Sequence, residues 1–194
     1  MKLTLPTALT LGRIGLVPVL VALFYLPFEW AGPAAAIAFA LAAITDWLDG
    51  FLARRWDQQS AFGAFLDPVA DKIMVAIVLI MLVQDNPTVW LALPAMVIIS
   101  REIVISALRE WMAEIGQRAR VAVSMLGKLK TVLQMVSLVL MLWAQPIAGL
   151  PVYDIGMVLL YVAALLTLYS MYEYLRASWE AGLVGPQGSA QNGS

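Results

Sequence analysis

The sequence predicts an all-α integral membrane protein, built as one bundle of six transmembrane helices. The first observation is composition: 62% of the residues are hydrophobic, 13% are charged and the mean hydropathy is +0.84. Soluble domains are only about 45–50% apolar. The second observation is length, because a spanning helix takes about 20 residues, and a chain of 194 residues accommodates about six spans in one domain. The third is the spacing of the apolar runs.

The first three predicted helices each end at a clear break. The apolar run 8–28 ends at LPFEWAGP, where prolines and a glycine interrupt the helix. The run 34–53 ends at the charged segment RRWDQQSAFG, and the run 64–84 ends at QDNPT. Each run is long enough for one membrane span.

The last three predicted helices follow the same pattern. The run 89–108 is followed by a long charged segment, 109–128, and the run 129–147 ends at AQPIAGLP. The last run, 153–175, leads into a polar C-terminus. The short breaks alternate with the long charged ones, as expected for a chain that crosses a membrane repeatedly.

The six apolar runs account for all the predicted spans. Residues 1–181 are predicted to form the membrane-embedded domain, and 182–194 a disordered end or an appended remnant. Lys2 and the apolar run after it resemble a signal peptide. Because Arg13 interrupts that run and equally hydrophobic segments follow it, the first segment is expected to be retained.

The basic residues predict the orientation. All twelve Lys and Arg residues fall at the termini, in the two charged segments or in the adjoining helix turns. The three short breaks carry only Glu29, Asp85 and Asp154. Because cytoplasmic loops are rich in Lys and Arg, both termini and any site near the charged segments should face the cytoplasm.

Composition also limits the chemistry. A net charge of −1 and a pI near 5.3 provide no basic field for nucleic acid. The chain has no cysteine and no histidine, which excludes disulfides, thiolate nucleophiles, Cys-based metal sites and imidazole bases. Any acid–base or metal chemistry must therefore use carboxylates.

The stretch ITDWLDGFLARRW places two acids on one helix face. Asp46 and Asp49 are three residues apart, and Gly50 and Ala53 fall on the same face at about 100° per residue. Taken alone, an Asp in a membrane helix is explained by an interhelical hydrogen bond, and the small residues by a packing notch. Here the small residues lie beneath the carboxylates, so a ligand could approach closely.

Two further acids begin the next helix. Asp67 and Asp71 are four residues apart on one face, and an antiparallel arrangement of the two helices would bring all four carboxylates together. Such a group repels itself in a partly dry site unless it binds cations, and an all-oxygen group selects hard ions such as Mg²⁺ or Mn²⁺. With Arg54 nearby, this arrangement indicates phosphate chemistry.

These residues resemble the signature of the CDP-alcohol phosphotransferase family, DxxDGxxAR(x)8GxxxDxxxD, at every fixed position and at the full spacing. One departure lies outside the signature: Thr7 occupies a position where many members carry Asn. The matching residues are Asp46, Asp49, Gly50, Ala53, Arg54, Gly63, Asp67 and Asp71. The segments that look like the bacterial branch using glycerol 3-phosphate are 5–18, 62–72, 100–114 and 123–131.

The resemblance implies a six-helix membrane bundle of this family's type and a reaction of phospholipid biosynthesis. The phosphatidyl group of CDP-diacylglycerol would pass to glycerol 3-phosphate, giving phosphatidylglycerol phosphate and CMP. It further implies two divalent cations, Mg²⁺ or Mn²⁺, a homodimer and contact with membrane phospholipids. Asp71 would be both a metal ligand and the general base, with Asp46, Asp49 and Asp67 as the other ligands. CDP-diacylglycerol would contact Gly50, Ala53, Arg54 and Gly63.

A second phosphate needs further cations. Arg101 and Arg109 lie eight residues apart, about 80° apart in projection on one helix, and Lys128 and Lys130 begin the fifth predicted helix. We expect these four residues to bind the phosphate of glycerol 3-phosphate. Each is equally consistent with an anchor that faces lipid phosphates.

Three alternatives remain at the level of sequence. A member of the same family could use another acceptor alcohol, such as serine or an inositol phosphate. A divalent-cation or proton-coupled transporter also carries intramembrane carboxylates, although near the bilayer midplane and with no need for Arg54. A structural scaffold leaves the four clustered acids unexplained.

Overall fold

The computed structural model contains six helices and no strand within the residues that it describes. The backbone is described for residues 5–56, 61–114 and 125–183, and the side chains for 11–45, 66, 68–114, 129–176 and 179. The helices are α1 (Leu5–Phe24), α2 (Ala31–Trp56), α3 (Ala61–Asp85), α4 (Val89–Glu114), α5 (Met125–Trp143) and α6 (Val152–Leu183).

The prediction of six helices in this order is confirmed, and the differences lie at the helix ends. Helix α1 ends at Phe24, before the apolar run does, because the amide of Leu26 bonds the carbonyl of Leu23 in a tight turn. Helix α4 continues to Glu114 and α6 to Leu183, past the apolar residues on which the predicted ends were based. The predicted disorder of 182–194 concerns mainly residues outside the described part of the chain.

The helices pack in a closed ring. Helix α1 contacts α2 and α3, α2 contacts α5, α5 contacts α6, α6 contacts α4, and α4 contacts α3. A further contact between α3 and α5 crosses the ring. Helices α3 and α5 are therefore central, and each carries residues of the predicted site.

Apolar side chains fill the interior of the ring and also cover its outside. Phe39, Leu79, Ile98 and Leu138 are fully buried in one continuous core. Large apolar side chains such as Ile80, Ile103 and Leu165 are exposed on the outer faces, as expected where lipid rather than water surrounds the bundle. Among the described residues, two helices are long and apolar enough to span a membrane, Val89–Glu114 and Val152–Arg176, and three segments are shorter apolar helices.

Polar contacts join the three short connections at one end of the bundle. The Tyr25 hydroxyl donates to the Gln84 side chain, and the Asn86 amide donates to the Tyr153 hydroxyl over 3.0 Å. The Gln145 amide donates to the carbonyl of Glu29. The C-terminal ends of α2 and α4 and the N-terminal ends of α3 and α5 therefore lie at the opposite end, where the predicted site residues are found.

The α5–α6 pair packs closely because α6 carries a glycine at the contact. A Cβ added at Gly156 would lie 2.7 Å from Met141 Cγ and 3.1 Å from the carbonyl oxygen of Ser137. The buried Ser137 hydroxyl donates to the Gly156 carbonyl over 2.7 Å. This contact fixes α6 against α5, which brings the polar residues of α6 toward the basic residues of α4 and α5.

Candidate active site

The acidic signature residues lie in the C-terminal part of α2 and the N-terminal part of α3. Of the four aspartates, only Asp71 has a described side chain. Within the described part of the chain, no group of three or more His, Cys, Asp or Glu side chains could hold a metal ion. The convergence of the four carboxylates therefore stays a prediction. The other site residues whose side chains lie outside the described set are Asp46, Asp49, Gly50, Ala53, Arg54, Gly63, Asp67 and Lys128.

Asp71 forms an ion pair with Arg13 of α1. Nη1 of Arg13 donates to Oδ1 of Asp71 over 2.8 Å, and the two residues are 58 positions apart in the sequence. The Arg13 side chain is only 2% exposed, whereas that of Asp71 is 36% exposed. A buried guanidinium needs a counter-charge, so this pair fixes one carboxylate oxygen of Asp71 and leaves its carboxyl group accessible from the site.

Asp71 and Arg13 together line a cleft of about 370 Å³. The remaining walls come from α2, α3 and α5 and are almost entirely apolar, formed by Ala42, Ala43, Ile44, Met74, Val132, Met135 and Val136 together with Thr131. A cleft with one ion pair in otherwise apolar walls matches a lipid whose polar head lies against the charged residues.

A cluster of buried basic residues lies where α4, α5 and α6 meet. Arg101 is 6% exposed and Lys130 is equally buried. Nη1 of Arg101 lies 2.7 Å from Oε1 of Glu102, and Nζ of Lys130 lies 3.7 Å from the same oxygen. Nη2 of Arg101 donates to the Ser170 hydroxyl over 3.3 Å, and its Nε has no hydrogen-bond partner among the described residues.

Arg109 faces α6 two turns further along α4. Its Nε donates to the Tyr174 hydroxyl over 3.1 Å, and its guanidinium carbon lies 5.4 Å from the centre of the Tyr174 ring. Both predicted arginines therefore turn toward α6, in agreement with the expectation that they share a face. Arg101 is buried and Arg109 is exposed, so the cluster reaches from the bundle interior to the charged end.

Helix α5 joins the two halves of the site. Thr131 lines the cleft that contains Asp71. The preceding residue, Lys130, contacts Glu102 in the basic cluster. Adjacent residues of one helix thus border the apolar cleft that contains Asp71 and the cluster of cations. This arrangement can hold a lipid and a phosphorylated alcohol side by side.

Four residues of this region were not among the predicted site residues. Arg13 carries a charge inside the apolar helix α1, and Glu102 lies next to Arg101 in the middle of α4. Intramembrane charges are costly enough to mark function. Ser170 and Tyr174 are polar residues four apart on one face of α6. The charge signal was present in the sequence. The partners of Arg13, Ser170 and Tyr174 are 58 to 69 residues away, and Lys130, which contacts Glu102, lies on another helix.

Comparison with known proteins identifies the family. Residues 3–169 match the CDP-alcohol phosphatidyltransferase family. A protein of Yersinia enterocolitica named CDP-diacylglycerol–glycerol-3-phosphate 3-phosphatidyltransferase is 56% identical over 183 residues, covering 93% of this chain and 97% of that protein.

Two further relatives carry the same name. The protein of Sodalis glossinidius is 56% identical, covering 92% of this chain and 96% of its own length. That of Salmonella choleraesuis is 55% identical with the same coverage. The resemblance inferred from the acidic signature is confirmed, and the chain belongs to the CDP-alcohol phosphatidyltransferase family.

Proposed function

We propose that this protein transfers the phosphatidyl group of CDP-diacylglycerol to glycerol 3-phosphate, producing phosphatidylglycerol phosphate and CMP. The observation that carries the proposal is the juxtaposition on α5: Thr131 borders the cleft that contains Asp71, and Lys130 borders the basic cluster. The relatives that are 55–56% identical are named for this reaction. A lipid substrate and a phosphorylated acceptor each have a matching surface here.

CDP-diacylglycerol is assigned to the acidic side of the site. The apolar walls of the 370 Å³ cleft suit its acyl chains, and the signature residues of α2 suit its nucleotide. Gly50 and Ala53 would let the cytidine nucleotide approach the helix, and Arg54 would bind its phosphate through a forked pair of donors. Gly63 would permit the tight entry into α3.

Enzymes of this family use divalent cations, and the acidic residues suit such ions. Asp46, Asp49, Asp67 and Asp71 offer only carboxylate oxygens, the donors that Mg²⁺ and Mn²⁺ prefer. We assign two ions to these four residues. When bound, the ions would neutralise charge on the pyrophosphate and on the leaving CMP.

Asp71 is assigned as the general base. Its carboxylate would take the proton of the primary hydroxyl of glycerol 3-phosphate, and the hydroxyl oxygen would attack the β-phosphorus of CDP-diacylglycerol. The bond between that phosphorus and the CMP oxygen breaks, and CMP leaves with the electron pair. The ion pair with Arg13 supports this role because it fixes the orientation of the carboxylate.

The acceptor phosphate is assigned to the basic cluster. Arg101, Arg109 and Lys130 come from two helices, and their contacts with Ser170 and Tyr174 hold the arginines on the α6 side. Lys128, two residues before Lys130 on α5, would complete the group. Buried cations that are already oriented bind a phosphate with little loss of side-chain freedom.

We further propose that all six helices span the bacterial inner membrane, with both termini and the site toward the cytoplasm. The alternation of short and charged connections supports this arrangement, as do the apolar outer faces. A homodimer is proposed from the resemblance alone.

The proposal is tested by measuring the acceptor dependence of CMP release. Purified protein in detergent is incubated with CDP-diacylglycerol and Mg²⁺ or Mn²⁺, and glycerol 3-phosphate, serine, inositol phosphate or no acceptor is added. We expect CMP and a lipid with the mass of phosphatidylglycerol phosphate only with glycerol 3-phosphate and a divalent ion. Turnover with another acceptor would reassign the substrate, and metal transport without CMP release would refute the transferase.

A further inference from the structure

We propose that Glu102 is a resident counter-ion that occupies the acceptor-phosphate site and moves toward Lys72 when a phosphate dianion enters. The inference rests on the proposed acceptor role of Arg101 and Lys130. It adds a residue that determines specificity: the acceptor must carry enough negative charge to displace a carboxylate that is already bound.

The position of one carboxylate oxygen carries the proposal. Oε1 of Glu102 contacts Nη1 of Arg101 at 2.7 Å and Nζ of Lys130 at 3.7 Å, so it lies between cations from two helices. A phosphate oxygen bound by the same two groups would lie in that place. Arg101 Nε is buried and has no hydrogen-bond partner among the described residues. This N–H group can therefore donate to a phosphate, which has more acceptor oxygens than a carboxylate.

Burial explains why a resident anion is needed. Arg101 and Lys130 are both 6% exposed, and two neighbouring cations removed from water repel each other strongly unless an anion lies between them. Glu102 supplies one negative charge. A phosphate monoester carries about 1.5 to 2 negative charges at neutral pH and three acceptor oxygens, so it competes successfully for the same cations. A neutral alcohol such as glycerol does not.

The structure also provides a place for the displaced carboxylate. Glu102 lines a second cleft, of about 390 Å³, between α3 and α4. The walls are otherwise apolar except for Lys72 and Ser106. The Lys72 ammonium donates to the Ser106 hydroxyl, which in turn donates to the backbone carbonyl of Glu102. Lys72 therefore lines the same cleft as Glu102 and is linked to its backbone through Ser106, and we assign it as the new partner of the displaced carboxylate.

Glu102→Gln tests the proposal because it removes the charge and keeps the shape. We expect the KM for glycerol 3-phosphate to fall about three- to tenfold, and the inhibition constant of inorganic phosphate against this substrate to fall by a similar factor. The KM for CDP-diacylglycerol should not change. Glu110→Gln, which neutralises an exposed carboxylate of the same helix, is the control and should leave all three constants unchanged.

A merely structural role predicts the opposite sign. If Glu102 only supports the helices, Glu102→Gln raises the KM or leaves it unchanged, and that result overturns the inference. Should this variant fail to fold, Lys72→Gln provides the second test. Loss of the ammonium group that would pair with the displaced Glu102 carboxylate should raise the KM for glycerol 3-phosphate at least about threefold. An unchanged KM in Lys72→Gln contradicts the proposed movement.

Arg101→Gln separates failure of this inference from failure of the proposed function. If it leaves the KM for glycerol 3-phosphate unchanged, the acceptor site is wrongly placed and the proposed function loses that assignment. If it raises the KM but Glu102→Gln does not lower it, the acceptor site stands and only the counter-ion role of Glu102 is refuted.

Discussion

Asp71→Asn is expected to lower both the turnover and the stability of the protein, and these two effects can be measured separately. An amide cannot accept the acceptor's proton as a carboxylate does, and a general base typically contributes about 10²- to 10⁴-fold in rate, which is about 2.7–5.4 kcal/mol of barrier. We expect kcat to fall within this range. Binding of CDP-diacylglycerol should be largely retained, because the other signature residues are unchanged.

The same substitution removes the ion pair between Asp71 and Arg13. Breaking a buried ion pair costs about 3–5 kcal/mol, but Asp71 is 36% exposed, so solvent screening reduces the expected cost to about 1–3 kcal/mol. At about 2–4 °C per kcal/mol for a chain of this size, the unfolding midpoint in detergent should fall by several degrees. Arg13→Gln added to Asp71→Asn removes the buried guanidinium that has lost this carboxylate, and it should restore part of the midpoint but not the turnover.

The assays are CMP release with saturating Mg²⁺ and thermal unfolding followed by intrinsic tryptophan fluorescence. Asp85→Asn is the matched control, since it changes an exposed aspartate at the other end of the same helix and should alter neither quantity. Wild-type-like kcat in Asp71→Asn would refute its role as the base. A double variant that regains turnover together with its midpoint would mean that the loss was structural.

Two further predictions concern side-chain placement and packing. Tyr174→Phe removes the acceptor of the Arg109 Nε hydrogen bond. Because Arg109 is exposed, we expect only about a two- to fivefold rise in the KM for glycerol 3-phosphate, with kcat nearly unchanged. Tyr172→Phe is the control and should change neither constant. An equal effect on the KM for CDP-diacylglycerol would contradict a local role. Gly156→Ala places a Cβ 2.7 Å from a methionine side chain of α5, so overpacking should cost about 1–3 kcal/mol and lower the unfolding midpoint. Gly15→Ala, which meets nothing within 4 Å, should not lower it, and equal midpoints for the two variants would refute the close α5–α6 contact.

Hydropathy was sufficient to predict the number and order of the helices but not where they end. The apolar run that begins the chain continues to residue 28, yet α1 ends at Phe24, because backbone bonds of the following turn end a helix irrespective of side-chain polarity. Conversely, α4 extends to Glu114, since a helix can continue past the apolar layer. The signature of α2 and α3 could be read directly because its residues are local in sequence.

The partners of the site residues could not be predicted in the same way. Asp71 was identified from its spacing, but its ion pair with Arg13 depends on how α1 packs against α3. Arg101 was predicted as a phosphate-binding cation from the sequence. The role of its neighbour Glu102 could be inferred only from the structure, where Arg101 and Lys130 both contact the same carboxylate oxygen of Glu102. Pair contacts between distant helices follow from the order of the ring, and that order is not encoded in any single segment.

Binding of Mn²⁺ to the purified protein, measured by electron paramagnetic resonance in the presence of CDP-diacylglycerol, tests the account most directly. The account predicts two bound ions per chain, with binding weakened in Asp49→Asn and unchanged in Asp85→Asn. Failure to bind Mn²⁺, or equal binding by Asp49→Asn and the unaltered protein, would contradict the proposal that the carboxylates of α2 and α3 form one metal site.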